Sequence, residues 1–226
     1  MGSTVRDLLG RLSGRADDTR RKAWAHACAE ALGLGGVAVT VNEELVWFSD
    51  TTSERLEDLQ FTLGQGPGLG LDDPVEMRQI PDLGELLARQ WPQFAPEAVK
   101  LGVAALFVWP VRLGAVPVGT LTGYRRTTGP LTARQVSEGW LVADVLAEHV
   151  LANWPAEPDA NGPGHAGTVD LHRAEVHQAT GVLSVRLNIP LAEALDRLRA
   201  RAYASGRSLT DTAHDILRQE LPHDDH

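Results

Sequence analysis

The sequence predicts an α+β domain built on a central antiparallel sheet, followed by a separate all-α unit of three helices. Three observations carry this prediction. From Val169 to Leu221 apolar residues recur at three- and four-residue steps, interrupted at Asn188 to Pro190 and again at Ser205-Gly206, which is the pattern of three short amphipathic helices. Upstream, the β-rich runs Val37–Val41, Leu45–Phe48, Leu101–Val111 and Val116–Tyr124 alternate with helical stretches, as in a sheet with helices against it. Between the two regions, Ala156 to Gly167 contains Pro158, Gly162, Pro163, Gly164 and Gly167, a density of breakers that no helix survives. The expected layout is a tail or short helix over 1–19, the α+β domain over 20–153, a Pro/Gly linker over 154–168, the three-helix unit over 169–222 and an acidic tail over 223–226.

Within the first domain, an alanine-rich helix over Arg20 to Leu34 places Trp24, Ala27, Cys28 and Ala31 on one side and ends at Gly33, Gly35 and Gly36. Val37–Val41 and Leu45–Phe48, on either side of Asn42-Glu43-Glu44, read as a hairpin. A brief polar helix near Ser53 to Asp58 precedes the glycine-rich string Leu63 to Gly70. No G-x-G-x-x-G fits that string, because Leu69 and Leu71 occupy the third glycine's place, and no phosphate-loop lysine follows. The string reads as a flexible turn. Met77 to Ile80 is a candidate strand. Leu83 to Val99 is helical at both ends, with a break at Trp91-Pro92-Gln93-Phe94. The strands Leu101–Val111 and Val116–Tyr124 flank a turn at Arg112 to Ala115. Thr132 caps a last helix reaching Asn153, with Gln135 where a capping box places it.

In the C-terminal unit the first helix, Val169 to about Arg186, turns Val176, Ala179, Val182, Leu183 and Leu187 inward. The second buries Leu191, Ala194, Leu195, Leu198 and Ala202, and the third, capped by Ser208 or Thr210, buries Leu209, Ala213, Ile216 and Leu217. Tyr203 either caps this core or stacks on a base, and the core is the reading its spacing favours.

Composition narrows the function. The 226 residues, 43% hydrophobic, are enough for two cores. The net charge of -9 argues against a broad nucleic-acid-binding field. It is uneven, because Val169 to Pro222 balances Arg173, Arg186, Arg197, Arg199, Arg201, Arg207 and Arg218 against Asp170, Glu175, Glu193, Asp196, Asp211, Asp215 and Glu220. The single cysteine, Cys28, forms no internal disulfide and fits a buried thiol in a reducing cytoplasm. The most apolar stretch, Val103 to Leu121, is broken by Pro110, Arg112, Gly114 and Pro117, so no membrane span is expected. No signal peptide is expected, since Leu8, Leu9 and Leu12 are interrupted by Gly10 and Arg11, and the sequence has no G-x-S-x-G, no H-E-x-x-H and no cysteine pair for zinc. His172 and His177 lie five apart, about 140° around a helix, the wrong spacing for one metal. No catalytic set, metal site or cofactor site is expected.

Arg199 and Arg201 fall about 80° to either side of the second helix's buried stripe. From there they reach phosphates or splayed bases, or they pair with Glu193, Asp196 or Asp211; periodicity leaves both open. Gly181, inside the first helix, costs about 1 kcal/mol relative to alanine, which close approach of a helix or an RNA backbone would offset.

Gln178-Ala179-Thr180-Gly181-Val182-Leu183, with Pro190 to Leu195, Leu198-Arg199, Ala202-Tyr203 and Gly206 to Ala213, resembles the ANTAR domain, an output module of bacterial transcription antiterminators. The resemblance implies binding to paired hairpins in nascent mRNA, with Gln178, Thr180, Gly181, Arg186, Arg199, Arg201 and Arg207 as the RNA-facing residues. Thr180 stands where relatives commonly have lysine. Gln60 to Pro67, Pro81-Asp82-Leu83, Trp91 to Phe94, Pro110 to Gly114 and Val118 to Leu121 are similar to GAF domains found upstream of ANTAR modules, and the similarity covers Arg20 to Asn153. It implies a sensor for a small-molecule effector or an upstream signalling protein, with Trp47, Phe61, Phe107 and Trp109 as candidate ligand contacts. Where many relatives carry a cysteine after the Gly-Pro pair, Gly68 stands here, so thiol sensing is not expected. Together the resemblances imply a cytoplasmic, non-enzymatic homodimer. The rival expectation is a signalling adaptor whose C-terminal helices bind a protein.

Overall fold

The structure, a computed structural model, describes residues 18–42, 44–69, 76–85, 90–153 and 173–220. The expected tails, the linker and the first residues of the C-terminal unit, Val169 to His172, lie outside the described residues. The chain forms two compact units, one holding the sheet and the other the last three helices.

The first unit contains α1 (Asp18–Leu32), β1 (Gly36–Val41), β2 (Glu44–Phe48), α2 (Thr51–Leu63), β3 (Arg78–Ile80), α3 (Phe94–Lys100), β4 (Ala105–Leu113), β5 (Val116–Arg125) and α4 (Ala133–Asn153). Its five strands pair antiparallel in the order β2-β1-β5-β4-β3. Strand alternation sends Ala105, Phe107, Trp109 and Val111 of β4 to one face. There they join Val37, Val39 and Val41 of β1, Trp24, Ala25 and Cys28 of α1, and Val142, Leu146 and Val150 of α4 in one buried core. Leu106 and Val108, pointing the other way, are equally buried, so β4 is covered on both faces, as its near-continuous hydrophobicity predicts. Pro110 sits in this strand beyond the stretch paired with β3, which ends at Val108, and a missing N–H is tolerated where one edge is free.

Local chemistry fixes the ends of these elements. Asp50 Oδ1 accepts the amides of Thr52 at 2.7 Å and Ser53 at 2.9 Å, capping α2. Thr132 and Gln135 form the expected capping box: the Thr132 amide donates to Gln135 Oε1 at 3.0 Å and the Gln135 amide to Thr132 Oγ1 at 3.3 Å. Burial pushes the Cys28 thiol up to about 12, the state of an inert core side chain.

Three local expectations are corrected. The polar helix near Ser53 to Asp58 runs on to Leu63, because Leu56, Gln60 and Phe61 extend its buried stripe, and it stops at Gly64, whose φ is +60°. Leu83 to Glu85 form a turn and not a helix, since Asp82 Oδ1 accepts the amide of Gly84 at 2.9 Å and that of Glu85 at 3.3 Å. The β4–β5 turn is two residues, Gly114-Ala115, with Gly114 at φ +63°, so Arg112 and Leu113 belong to the strand.

The second unit contains α5 (Ala174–Leu187), α6 (Leu191–Ser205) and α7 (Leu209–Glu220). Asn188 at φ +51° and Gly206 at φ +63° end α5 and α6 in left-handed conformations. The Ser208 hydroxyl accepts the Asp211 amide at 3.0 Å and starts α7. Val176, Ala179, Leu183, Ala194, Leu195, Leu198, Ala202, Leu209, Ala213 and Ile216 are the unit's buried apolar side chains. Leu187 and Leu191, expected inside, are 42% and 61% exposed. They flank the tight α5–α6 turn, where a chain reversal leaves the end residues without a facing helix.

Candidate nucleic-acid interface

The seven residues proposed to face RNA divide into groups. Gln178 and Arg186 are exposed on α5, about two helical turns apart. Thr180 is 5% exposed. Lying four residues after Val176 and three before Leu183, it belongs to the buried stripe, and its hydroxyl donates to the Val176 carbonyl at 2.7 Å. The expectation that Thr180 shares α5's polar side and meets RNA is therefore corrected: the back-bond satisfies the hydroxyl and lets a polar residue occupy an apolar position. At Gly181 a Cβ would meet nothing within 4 Å, so close approach of another helix does not account for the glycine.

The arginines of α6 and the following turn are held by local carboxylates. Arg197 Nη2 lies 2.8 Å from Glu193 Oε1, and Arg199 Nη1 lies 3.0 Å from Asp196 Oδ1. Arg207 Nη1 donates to Asp215 Oδ2, and Arg218 Nη2 is 3.5 Å from Asp215 Oδ1. Arg201 is exposed and close enough to add to the field on Asp215. The hydrogen bond from Arg207, then the positive charges of Arg207, Arg218 and Arg201, hold the Asp215 carboxyl below the usual carboxylate range, burial opposing them. The same bond and charge raise Arg207. Of these arginines, the pairs of Arg197, Arg207 and Arg218 are open to solvent, where an ion pair is weak and exchanges with other anions, whereas the Arg199 side chain is only 16% exposed. Arg207 thus converges on Asp215 with Arg218, a residue that sequence reasoning missed because its helical position gives no hint that Asp215 lies against the α6–α7 turn.

Tyr203, expected to cap the core, is 71% exposed. Val185 is 84% exposed on α5. The unit therefore presents aromatic and aliphatic side chains to solvent as well as guanidinium groups.

In the first unit the four candidate ligand contacts do not gather around one space. Trp47, Phe107 and Trp109 belong to the core beneath α1 and α4. The Trp47 ring stands 5.7 Å from that of Trp24 and 5.3 Å from that of His149. Trp109 donates its indole N–H to the Val136 carbonyl at 3.3 Å. Phe61, also buried, comes from α2 and lies outside that cluster. A second buried polar group was missed in the sequence: Gln60 donates to Glu57 Oε1 at 2.9 Å and accepts the Gly68 amide at 2.7 Å, while Arg78 Nη1 donates to the carbonyls of Pro67 at 3.2 Å and Leu69 at 2.6 Å. These bonds pin the glycine-rich segment, which the sequence suggested was a flexible turn.

The chain thus carries a five-stranded antiparallel sheet with helices and, in its second unit, three helices with surface arginines. Residues 171–217 match the family model for the ANTAR domain. The first unit is similar to the GAF domain of a phosphoenolpyruvate-protein phosphotransferase from Acinetobacter, with a TM-score of 0.52 and 9% identity over 69% of this chain and 95% of that one. That likeness shows a GAF fold. The phycocyanobilin-bound GAF domain of a cyanobacterial phytochrome is similar at a TM-score of 0.46 and 11% identity, covering 67% of this chain and 98% of that one. Free methionine-R-sulfoxide reductase from Neisseria meningitidis, solved with its substrate, is similar at a TM-score of 0.42 and 12% identity, covering 67% and 97%. No curated protein matches the chain. The architecture is a GAF fold followed by an ANTAR match, and no helix among the described residues is long and apolar enough to cross a membrane.

Proposed function

We propose that this protein is an RNA-binding transcription antitermination regulator. Its α5–α7 module binds paired hairpin loops in nascent mRNA, and its GAF-like domain controls that binding in response to a small-molecule effector or an upstream signalling protein. The observation that carries the reading is the coincidence of the ANTAR match over 171–217 with a folded three-helix unit that leaves Gln178, Arg186 and Arg201 exposed and holds Arg207 in a solvent-open pair with Asp215. Phosphates and loop bases are the partners such groups fit. The unit has no net excess of positive charge, so affinity rests on a few placed contacts and on stacking. In this reading the protein is a cytoplasmic homodimer, each protomer contributing one hairpin-binding module, and it catalyses no reaction.

A gel-shift titration of the full chain with a two-hairpin RNA at low salt tests the reading. Binding that falls when either hairpin is removed supports it, and indifference to both hairpins sinks it. The adaptor reading, in which the helices hold a protein partner, is favoured by the exposed Val185, Leu191 and Tyr203. Charge reversal at Arg199 and Arg207 separates the two, because an RNA binder loses affinity with a reduced salt slope.

A further inference from the structure

The carboxylate of Asp215 is met by guanidinium groups from two separate places, Arg207 in the α6–α7 turn and Arg218 on α7, and the charge of Arg201 on α6 adds to their field. Arg207 donates to Oδ2 and Arg218 lies 3.5 Å from Oδ1, so the two carboxylate oxygens are taken by two different arginines. This is the arrangement in which guanidinium groups share the non-bridging oxygens of a phosphate. The side chains stay accessible, at 45% for Arg207, 34% for Asp215 and 72% for Arg218. Among the described residues Arg207 and Arg218 both meet the carboxylate of Asp215, while Arg197 meets Glu193 and Arg199 meets Asp196. Asp211 is the other acid whose charge acts on Arg207; it sits in the first turn of α7, where the helix dipole favours an anion.

We propose that Arg201, Arg207 and Arg218 form a backbone-phosphate seat in the RNA-binding surface, and that Asp215 occupies it as an internal competitor when no RNA is bound. The inference rests on the RNA-binding reading and deepens it by naming the seat and what guards it. Asp215 keeps the guanidinium groups converged in the free protein, and an incoming phosphodiester takes its place on Arg207 and Arg218. Asp215 thereby lowers affinity for polyanions in general, so that a single phosphate is a weak ligand and only RNA making further contacts displaces it. This sets a threshold against indiscriminate binding.

The test is a salt-series titration of the full chain with two-hairpin RNA, comparing wild type with Asp215→Asn, each also in an Arg207→Gln background. Emptying the seat of its competitor is expected to tighten binding about two- to fivefold, the fold-change that corresponds to one exposed ion pair. The salt slope should steepen by up to about one unit, because the seat no longer arrives already neutralised by a carboxylate of the protein. In the Arg207→Gln background the gain should shrink towards nothing, and thermal unfolding of each variant shows that the unit is folded. Wild-type binding that Asp215→Asn leaves unchanged or weakens overturns this inference alone, and so does a gain of the same size with Arg207 absent. Failure of the wild type to bind the RNA overturns the RNA-binding reading and this inference with it.

Discussion

The indole ring of Trp109 lies so close to Gly139 that a Cβ added to the glycine would come within 2.3 Å of the ring. A central strand and the closing helix α4 therefore meet at a position where only glycine fits, and the Trp109 N–H reaches the Val136 carbonyl one turn earlier on the same helix. Gly139→Ala forces the helix or the ring to move. It should destabilise the N-terminal domain by about 1–3 kcal/mol, the usual cost of overpacking a filled core, although alanine is the better helix former. Chemical denaturation followed by tryptophan fluorescence measures it; a variant as stable as wild type would mean that the contact yields freely.

Gln60, 2% exposed, is the sole side chain seen accepting the Gly68 amide and also bonds Glu57. Gln60→Ala should cost about 0.5–1.5 kcal/mol by leaving the half-buried Gly68 amide without its acceptor. Amide exchange at Gly68 should rise more than exchange along β4. Gln60→Glu should cost more than alanine at neutral pH, because it sets a second buried carboxylate beside Glu57.

Tyr203 separates folding from recognition. At 71% exposure its ring contributes little to the helical core, so Tyr203→Ala should change stability by less than about 0.5 kcal/mol. If the ring stacks on a loop base, the same change weakens RNA binding by about 1–3 kcal/mol, and the salt slope stays as it was because no phosphate contact is lost. Anisotropy titrations at two salt concentrations distinguish this from loss of an arginine.

Asp215 also makes a pH signature for the C-terminal unit. The Arg207 hydrogen bond and the surrounding positive charges hold its carboxyl lower in the folded than in the unfolded chain. The associated stabilisation is then fully present above the ordinary aspartate range, about pH 4, and is lost as pH falls through the lowered folded value. Thermal melts of the full chain should show the C-terminal transition insensitive to Asp215→Asn substitution only at the acid extreme, with the wild-type advantage appearing as pH rises. An advantage that instead grew towards acid pH would contradict the pairing.

The sheet and the three output helices were legible because their signals are local: β-branched runs around short turns, the Thr132/Gln135 spacing, and glycine or asparagine where a helix must end left-handed. What escaped depends on tertiary neighbours. Thr180 reads as polar until its hydroxyl is seen returning to the Val176 carbonyl. Leu191 shares the period of the buried stripe, yet period cannot say whether a facing helix extends far enough to cover it. The link between Arg207 and Asp215 spans eight residues across a turn, a separation that no helical repeat encodes. Of the aromatic residues expected to contact a ligand in the first domain, Trp47, Phe107 and Trp109 serve the core under α1 and α4.

Cys28 gives the molecule a built-in clock. It is the chain's one thiol, sealed beneath α1 with none of its surface accessible, so an alkylating reagent can mark it only while the N-terminal domain is open. Fraying of α5, α6 or α7 leaves no such mark. Mass gain after a timed maleimide pulse therefore records how often the N-terminal half breathes, with the C-terminal helices silent, and a small molecule that binds and holds that half shut would lengthen the interval between ticks.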